Sequence, residues 1–559
     1  MNLFTLIAII ASLTSLILIV LKYLYSKSEK KKNIKITITN KAGEKTEHNS
    51  NEEDIESLTK TLDALNRASL QLDLQDFINH PEVKKCMAQL KERFPPGGNL
   101  PFIVSDTLDD EGHQYVNLVQ KGGGVLGVAL VGYTYILEEM GIRFLRLAGT
   151  SAGAINTALM TVMGHKKEAK STRILKSICD LNFFNLVDGH PAARWVIKNF
   201  ITHQDFTTKV KLRISIFISI LAILLAGDFI FLGLEHVHQN LSIVTKILFV
   251  ITGFYFVIIG CIIFYIARLL GRLKDSGYGI NPGDYFYDWI KQQLTVNDVK
   301  TVNDLNQKAA EPIPGLNLRV PNPDGIDGLR GDVTFITSEL VTQNKIQFPE
   351  MCYLFREKEN IDTMQPAGFI RASMSIPVFF ESYMINNIPC ETEEIKKAWL
   401  ETFGEKDPPS TARFVDGGIL SNFPINIFYN PKVLIPRLPS FGIDLDDSKP
   451  DEETKHAQSW SLPGYFGRMF NTIRFYYDKD FLLKNRVFEK GIGKIPLSKY
   501  NWLNFFLSDQ DKIDMFVAGA QTATDFLLTF DWEDYKNART EMQKELNKKQ
   551  APQHSVIST

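Results

Sequence analysis

The sequence predicts an α/β protein with a mainly parallel central sheet, helices on both of its faces, and membrane-spanning helices added to that core. Three observations lead there. From about residue 95, short β-prone runs alternate with helical stretches, the alternation that builds a parallel sheet covered on both sides. The 559 residues are 44% apolar, with 36 Gly and 24 Pro, which excludes a disordered or collagen-like chain and supplies a large core. The apolar residues are also unevenly spread, with three blocks long enough to cross a bilayer. Lys+Arg (62) and Asp+Glu (64) nearly cancel, so bulk charge gives no reason to expect a nucleic-acid partner.

The first block, Leu3 to Leu21, carries no charge and at about 1.5 Å per residue suffices for a hydrocarbon core of ~30 Å. No Lys or Arg precedes the run and no small-x-small site follows it, a pattern that favours an uncleaved anchor (1–26) over a signal peptide. Residues 27–94 read as a polar linker and amphipathic helices. Ile34 to Thr39 alternate as a short strand would, and Ile55, Leu58, Leu62, Leu65, Leu70 and Leu72 recur at helical spacing.

At Pro95-Pro96-Gly97-Gly98 the main domain begins, with a first part over 95–208 and a second over 275–535. Strands are expected at Tyr115–Val119, Phe144–Ala148, Val333–Thr337, Phe414–Val415 and Val433–Ile435. The remainder, 536–559, reads as a polar tail without core-forming periodicity. Between the two parts, 209–274 is expected to be a transmembrane hairpin spanning at 214–234 and 247–266, joined by the polar stretch Glu235 to Lys246. Lys22, Lys27 and Lys30 to Lys32 follow the first span, Lys209, Lys211 and Arg213 precede the second, and Arg268, Arg272 and Lys274 follow the third. By the positive-inside rule the N-terminus lies outside and the long polar regions face the cytoplasm. Asp228, inside the second span, is expected to reach the outer interface near the hairpin end rather than to mark a transport path. Five scattered cysteines without a Cys-x-x-Cys pair argue against a disulfide framework or structural zinc, and for a reducing compartment.

Chemistry concentrates in a few short stretches. Gly149-Thr150-Ser151-Ala152-Gly153 follows an apolar strand and opens a helix of small and apolar residues, the setting of a nucleophile elbow. Gly122-Gly123-Gly124-Val125-Leu126-Gly127 admits two readings. It matches the dinucleotide pattern Gly-x-Gly-x-x-Gly, but the next strand ends in Gly-Thr-Ser rather than in an acid that would read a ribose. Facing a nucleophile, the run reads better as an oxyanion hole. None of the ten histidines sits in a motif that would make it the base. Asp416, ending a strand in Phe414-Val415-Asp416-Gly417-Gly418, is the better candidate.

Taken in order, the glycine run, Gly-Thr-Ser-Ala-Gly, Arg371-Ala372-Ser373-Met374-Ser375-Ile376-Pro377, and Asp416-Gly417-Gly418 followed by Asn422-Phe423-Pro424 resemble the patatin-like phospholipases. The resemblance covers roughly Gln114 to Pro424, interrupted by the hairpin. It implies a patatin-like three-layer sandwich and a Ser–Asp dyad, with Ser151 as nucleophile, Asp416 as general base, and Gly122, Gly123 and Gly124 as oxyanion donors. No cofactor or metal is implied. The expected activity is cleavage of membrane-lipid esters, of phospholipase A or lysophospholipase type, by a cytoplasmic domain held at a bacterial cytoplasmic membrane. Leu126 stands where the family often has Lys or Arg, which changes the electrostatics beside the glycine run. The same residues also suit a lipid transacylase, while a non-catalytic membrane scaffold is a reading of another class. Head-group preference and oligomeric state stay open.

Overall fold

The computed structural model describes residues 34–39, 45–50, 72–95, 101–191, 194, 206–235, 241–275, 277–447 and 462–550. The span expected at 3–21 and the helical spacing from Ile55 to Leu70 lie outside the described residues. The chain divides into two compact units, Met1–Leu72 and Asp73–Thr559. In the first, Ile34–Thr39 pairs antiparallel with Lys45–Ser50, so the alternating Ile/Thr run is indeed a strand.

The second unit is built on a mixed sheet. Helices Leu74–Ile78 and Pro81–Arg93 precede β1 (Gln114–Gln120), α1 (Val128–Glu139), β2 (Ile142–Thr150) and α2 (Ala152–Val162). After the apolar hairpin come β3 (Asp332–Glu339) and β4 (Ala412–Asp416), then β5 (Ser440–Asp446) and β6 (Ile492–Pro496). Along the sheet the order is β4-β3-β2-β1-β5-β6. The four pairings from β3 to β6 are parallel, and β4 joins β3 antiparallel. Every residue of β1 is buried, as a strand with helices against both faces must be.

Two expectations differ from the structure. Val433–Ile435 is not a strand; the sheet takes Ser440–Asp446 instead. Pro431, Pro436 and Pro439 surround the apolar triplet, and each lacks the N–H a ladder needs. The polar tail also has a buried face: Trp532–Gln550 is a helix in which Trp532, Tyr535, Arg539 and Gln543 are buried. Ala538 and Met542 pack on a cluster with Val119 of β1 and Ala148 of β2. Charged residues outnumber that narrow stripe, which hides the period in the sequence.

The hairpin consists of α3 (Phe206–Glu235) and α4 (Ser242–Asp275), two helices long and apolar enough to cross a membrane. They run antiparallel, with the Tyr255 hydroxyl donating to Phe217 O at 2.8 Å and its ring stacked on Phe217. Asp228 is only 6% exposed and its Oδ1 meets no partner among the described residues. It is buried where neighbouring Gly227 packs against Leu248, rather than reaching outward as its position in the sequence suggested.

Candidate active site

Ser151 sits where β2 gives way to α2, with φ 52° and ψ −119°. For a residue with a Cβ this is a strained conformation, of the kind the elbow needs to lift a hydroxyl clear of the sheet. The small neighbours make it reachable: a Cβ on Gly153 would lie 2.2 Å from Gln120 O, so only glycine lets α2 start this close to β1. The Ser151 N–H donates to Ser373 Oγ at 3.0 Å, and Ser373 in turn donates to Ile336 O at 2.6 Å.

Strand register brings Asp416 to the same place. Thr150 lies opposite Ile336 of β3, and Asp416 lies opposite the next residue, Thr337. The Ser151 side chain thereby comes beside the Asp416 carboxyl and favours its ionised form. Gly418 N donates to Asp416 Oδ1 at 2.7 Å, and Asp416 N donates to Ser375 O at 2.8 Å. Ser375 is itself held by buried Arg371, whose Nη1 donates to Ser375 Oγ at 2.6 Å. The Arg371–Ser375 motif is thus a bracket, one serine gripping each side of the Ser151–Asp416 pair. Burial pushes the Asp416 carboxyl above the ordinary carboxylate range, opposed by the Ser151 side chain, by the hydrogen bond from Gly418 and by the charge of Arg474.

The glycine run lies beside the serine, and its members are not equivalent. Gly122 departs from the expected role: its N–H already donates to Asn422 O at 3.0 Å, and Asn422 Nδ2 donates back to Gly122 O at 3.2 Å. The N–H groups of Gly123 and Gly124 donate to no protein group among the described residues. Gly124 has φ +56°, and a Cβ there would fall 2.2 Å from Trp502 O, so both its conformation and its neighbour require glycine. Leu126 is fully buried.

An apolar pocket opens from Ser151 and Gly124, lined among others by Ile155, Leu159, Ile178, Phe286, Phe380 and Phe505. Its free volume is about 60 Å³, room for a few waters, so a long chain enters only as the aromatic side chains part.

Sequence reasoning missed the helix Leu462–Lys484. Arg474 Nε donates to Gly418 O at 2.7 Å. Asp478 accepts from Ser421 Oγ at 2.7 Å and Phe423 N at 2.8 Å, and burial raises its carboxyl to about 6. Their spacing of four residues, one helix face, is the only signal the sequence holds for them.

An α/β domain with a serine on a strained strand–helix turn, a buried carboxylate as its partner and a glycine loop alongside defines a class of serine acyl hydrolases. Residues 118–429, more than half the chain, match the model of the patatin-like phospholipases, and the chain belongs to that family, whose general activity is lipid acyl hydrolysis. Among curated proteins it is 24% identical over 414 residues to the uncharacterized protein YqhO of Bacillus subtilis (strain 168), covering 74% of this chain and 98% of that one. Among solved structures, VipD from Legionella pneumophila overlays 79% of this chain and 73% of its own at 14% identity, with a TM-score of 0.31.

Proposed function

We propose that the protein is a membrane-anchored serine acyl hydrolase, of phospholipase A or lysophospholipase type, that cleaves lipid esters through a Ser151–Asp416 dyad. The observation that supports this reading is the strand register that sets Ser151, on its strained elbow, beside the buried Asp416 carboxyl, next to glycine N–H groups that meet no protein acceptor among the described residues and at the mouth of an apolar pocket. Ser151 Oγ attacks the ester carbonyl while Asp416 takes its proton. The N–H groups of Gly123 and Gly124 stabilise the oxyanion, and Gly122 holds the loop in register through Asn422. Collapse expels the alcohol, which receives the proton from Asp416. Water then attacks the acyl-enzyme, again giving a proton to Asp416, and that proton returns to Ser151 Oγ as the fatty acid leaves.

The apolar helices α3 and α4, with the span expected at 3–21, hold this site against a bilayer. Both hairpin ends carry basic residues, Lys209, Lys211 and Arg213 before it and Arg268, Arg272 and Lys274 after it, which orients the domain to the cytoplasmic face. Tethering raises the effective concentration of an insoluble substrate. The test is release of labelled fatty acid from mixed glycerophospholipid vesicles by the detergent-purified full chain, with Ser151→Ala and Asp416→Ala in parallel. Free fatty acid from wild type alone is the expected result. Label passing to a lipid alcohol would make the enzyme a transacylase, and wild type no better than the variants on phospholipids, lysolipids and neutral esters would end the hydrolase reading.

A further inference from the structure

A second concavity opens nearer the starts of the same strands. It is lined by residues of β1, β2 and β5, by stretches of 322–329 and 428–438, and by the helix Trp532–Gln550. Its free volume is about 930 Å³, and it shares no lining residue with the apolar pocket at Ser151. Arg146 lines it five residues before Ser151, roughly 16 Å of extended strand away. This cleft is therefore separate from the hydrolytic site.

Its chemistry is cationic. Arg146, Lys432, Arg437 and Arg539 line it against two carboxylates, Asp324 and Asp327, a surplus of two positive charges. Two of the guanidiniums are fixed by backbone carbonyls: Arg146 donates to Gly328 O at 2.8 Å and Arg330 O at 3.2 Å, and Arg437 Nη1 to Gly325 O at 2.7 Å and Asp327 O at 2.8 Å. Burial pushes the Arg146 guanidinium below its usual value, and the like charges of Arg437 and Arg330 act in the same direction, against Asp332.

Arg539 is the telling residue. It is only 6% exposed, and its guanidinium lies over the rings of Tyr429 at 4.9 Å and Phe488 at 4.7 Å. Among the described residues its one hydrogen-bond contact is a long one, 3.9 Å, to Met542 Sδ. It makes no ion pair among the described residues. A guanidinium withdrawn from water this far is costly unless an anion meets it, and aromatic faces offset only part of that cost. Asn117, lining the same cleft and 5% exposed, has an amide oxygen with no partner. A buried guanidinium with no ion pair among the described residues and a buried amide oxygen with no partner, both lining one cleft, ask for a ligand with an anionic end and a donor beside it.

We propose that this cleft binds a phosphate monoester, its dianion held by Arg539, Arg437 and Arg146 with Lys432 at the rim, and a neighbouring hydroxyl donating to the Asn117 amide. A planar guanidinium matches paired phosphate oxygens, and the surplus charge matches a dianion. Soluble phosphoesters and the head group of a phosphomonoester lipid share this chemistry.

The test is calorimetric titration of the full chain in detergent, on a Ser151→Ala background so that no ester is consumed. The probes are glycerol 3-phosphate, dihexanoyl phosphatidic acid and, as the phosphodiester control, dihexanoyl phosphatidylcholine. Saturable binding of the phosphomonoesters is expected, with phosphatidylcholine inert. Arg539→Met and the exposed Lys432→Glu should each weaken it roughly tenfold or more, while Lys397→Glu, on an exposed face elsewhere, leaves it unchanged. Preference for phosphatidic acid assigns a lipid source, and equal binding of the two assigns a soluble one. Should Arg539→Met fail to fold, Lys432→Glu and Arg437→Gln carry the test. No phosphomonoester binding, or binding that these substitutions leave intact, overturns the proposal. Because the readout is binding by a serine-less chain, it is independent of whether the hydrolase reading holds.

Discussion

The two ends of one set of strands are built on opposite plans. At the C-terminal ends of β2 and β4, charge is confined to a few buried or partly buried groups, Asp416 with Arg474, Arg371 and Asp478 behind it, and Ser151 and Asp416 are positioned by backbone: an elbow at φ 52°, glycines, and strand register. Nearer the strand starts, charge is abundant and carried by long side chains tied to loop carbonyls or resting on rings. The difference teaches how each end tolerates change. A site held by backbone fails when the backbone must move, whereas a cleft made by side-chain tips is retuned one charge at a time.

That contrast can be broken most sharply at Asp416. Asp416→Asn keeps the shape but removes the proposed base, and kcat/KM should fall about 10⁴-fold while glycerol 3-phosphate binding is unchanged. Gly124→Ala should cost about 10²-fold in kcat, because the added methyl meets Trp502 O and the positive φ disfavours it. A normal kcat would mean that the loop is not held as rigidly as its contacts indicate.

The opposite end is sharpened by Trp532→Ala, which empties a fully buried site where the helix Trp532–Gln550 meets the sheet. It should destabilise the fold by about 3–5 kcal/mol in denaturant titration, with hydrolysis per folded molecule retained. The smallest effects concern pH. As the proposed general base, Asp416 acts in its ionised form, which Arg474 favours. Arg474→Met should therefore move the acid limb of kcat/KM to higher pH. Asp478, raised to about 6 from an ordinary 3.8, contributes stability that is full below pH 4 and is lost as pH rises through 6. Asp478→Asn should flatten thermal stability across that window.

Much of the fold was legible because its signals are local. Apolar runs marked β1, β2, β3 and β4, and small residues around Ser151 marked the elbow. Long apolar stretches marked α3 and α4. What was misread depended on competition between local and distant forces. Val433–Ile435 looks like a strand until its flanking prolines are weighed, and the tail looks polar until the sheet offers its narrow stripe a partner.

By itself, then, the sequence determined the residue types and order of the candidate site: a serine between small residues, a glycine run before it, and an acid closing a later strand. Those are properties of short segments, set by backbone sterics and side-chain volume. Only the tertiary structure decided that Gly122 donates to Asn422 while the Gly123 and Gly124 N–H groups meet no acceptor among the described residues, that Asp228 is buried, and that Arg146, Arg437 and Arg539 share a cleft. Each of these depends on which distant groups meet, and contacts between residues hundreds of positions apart are written in register and packing rather than in any local pattern.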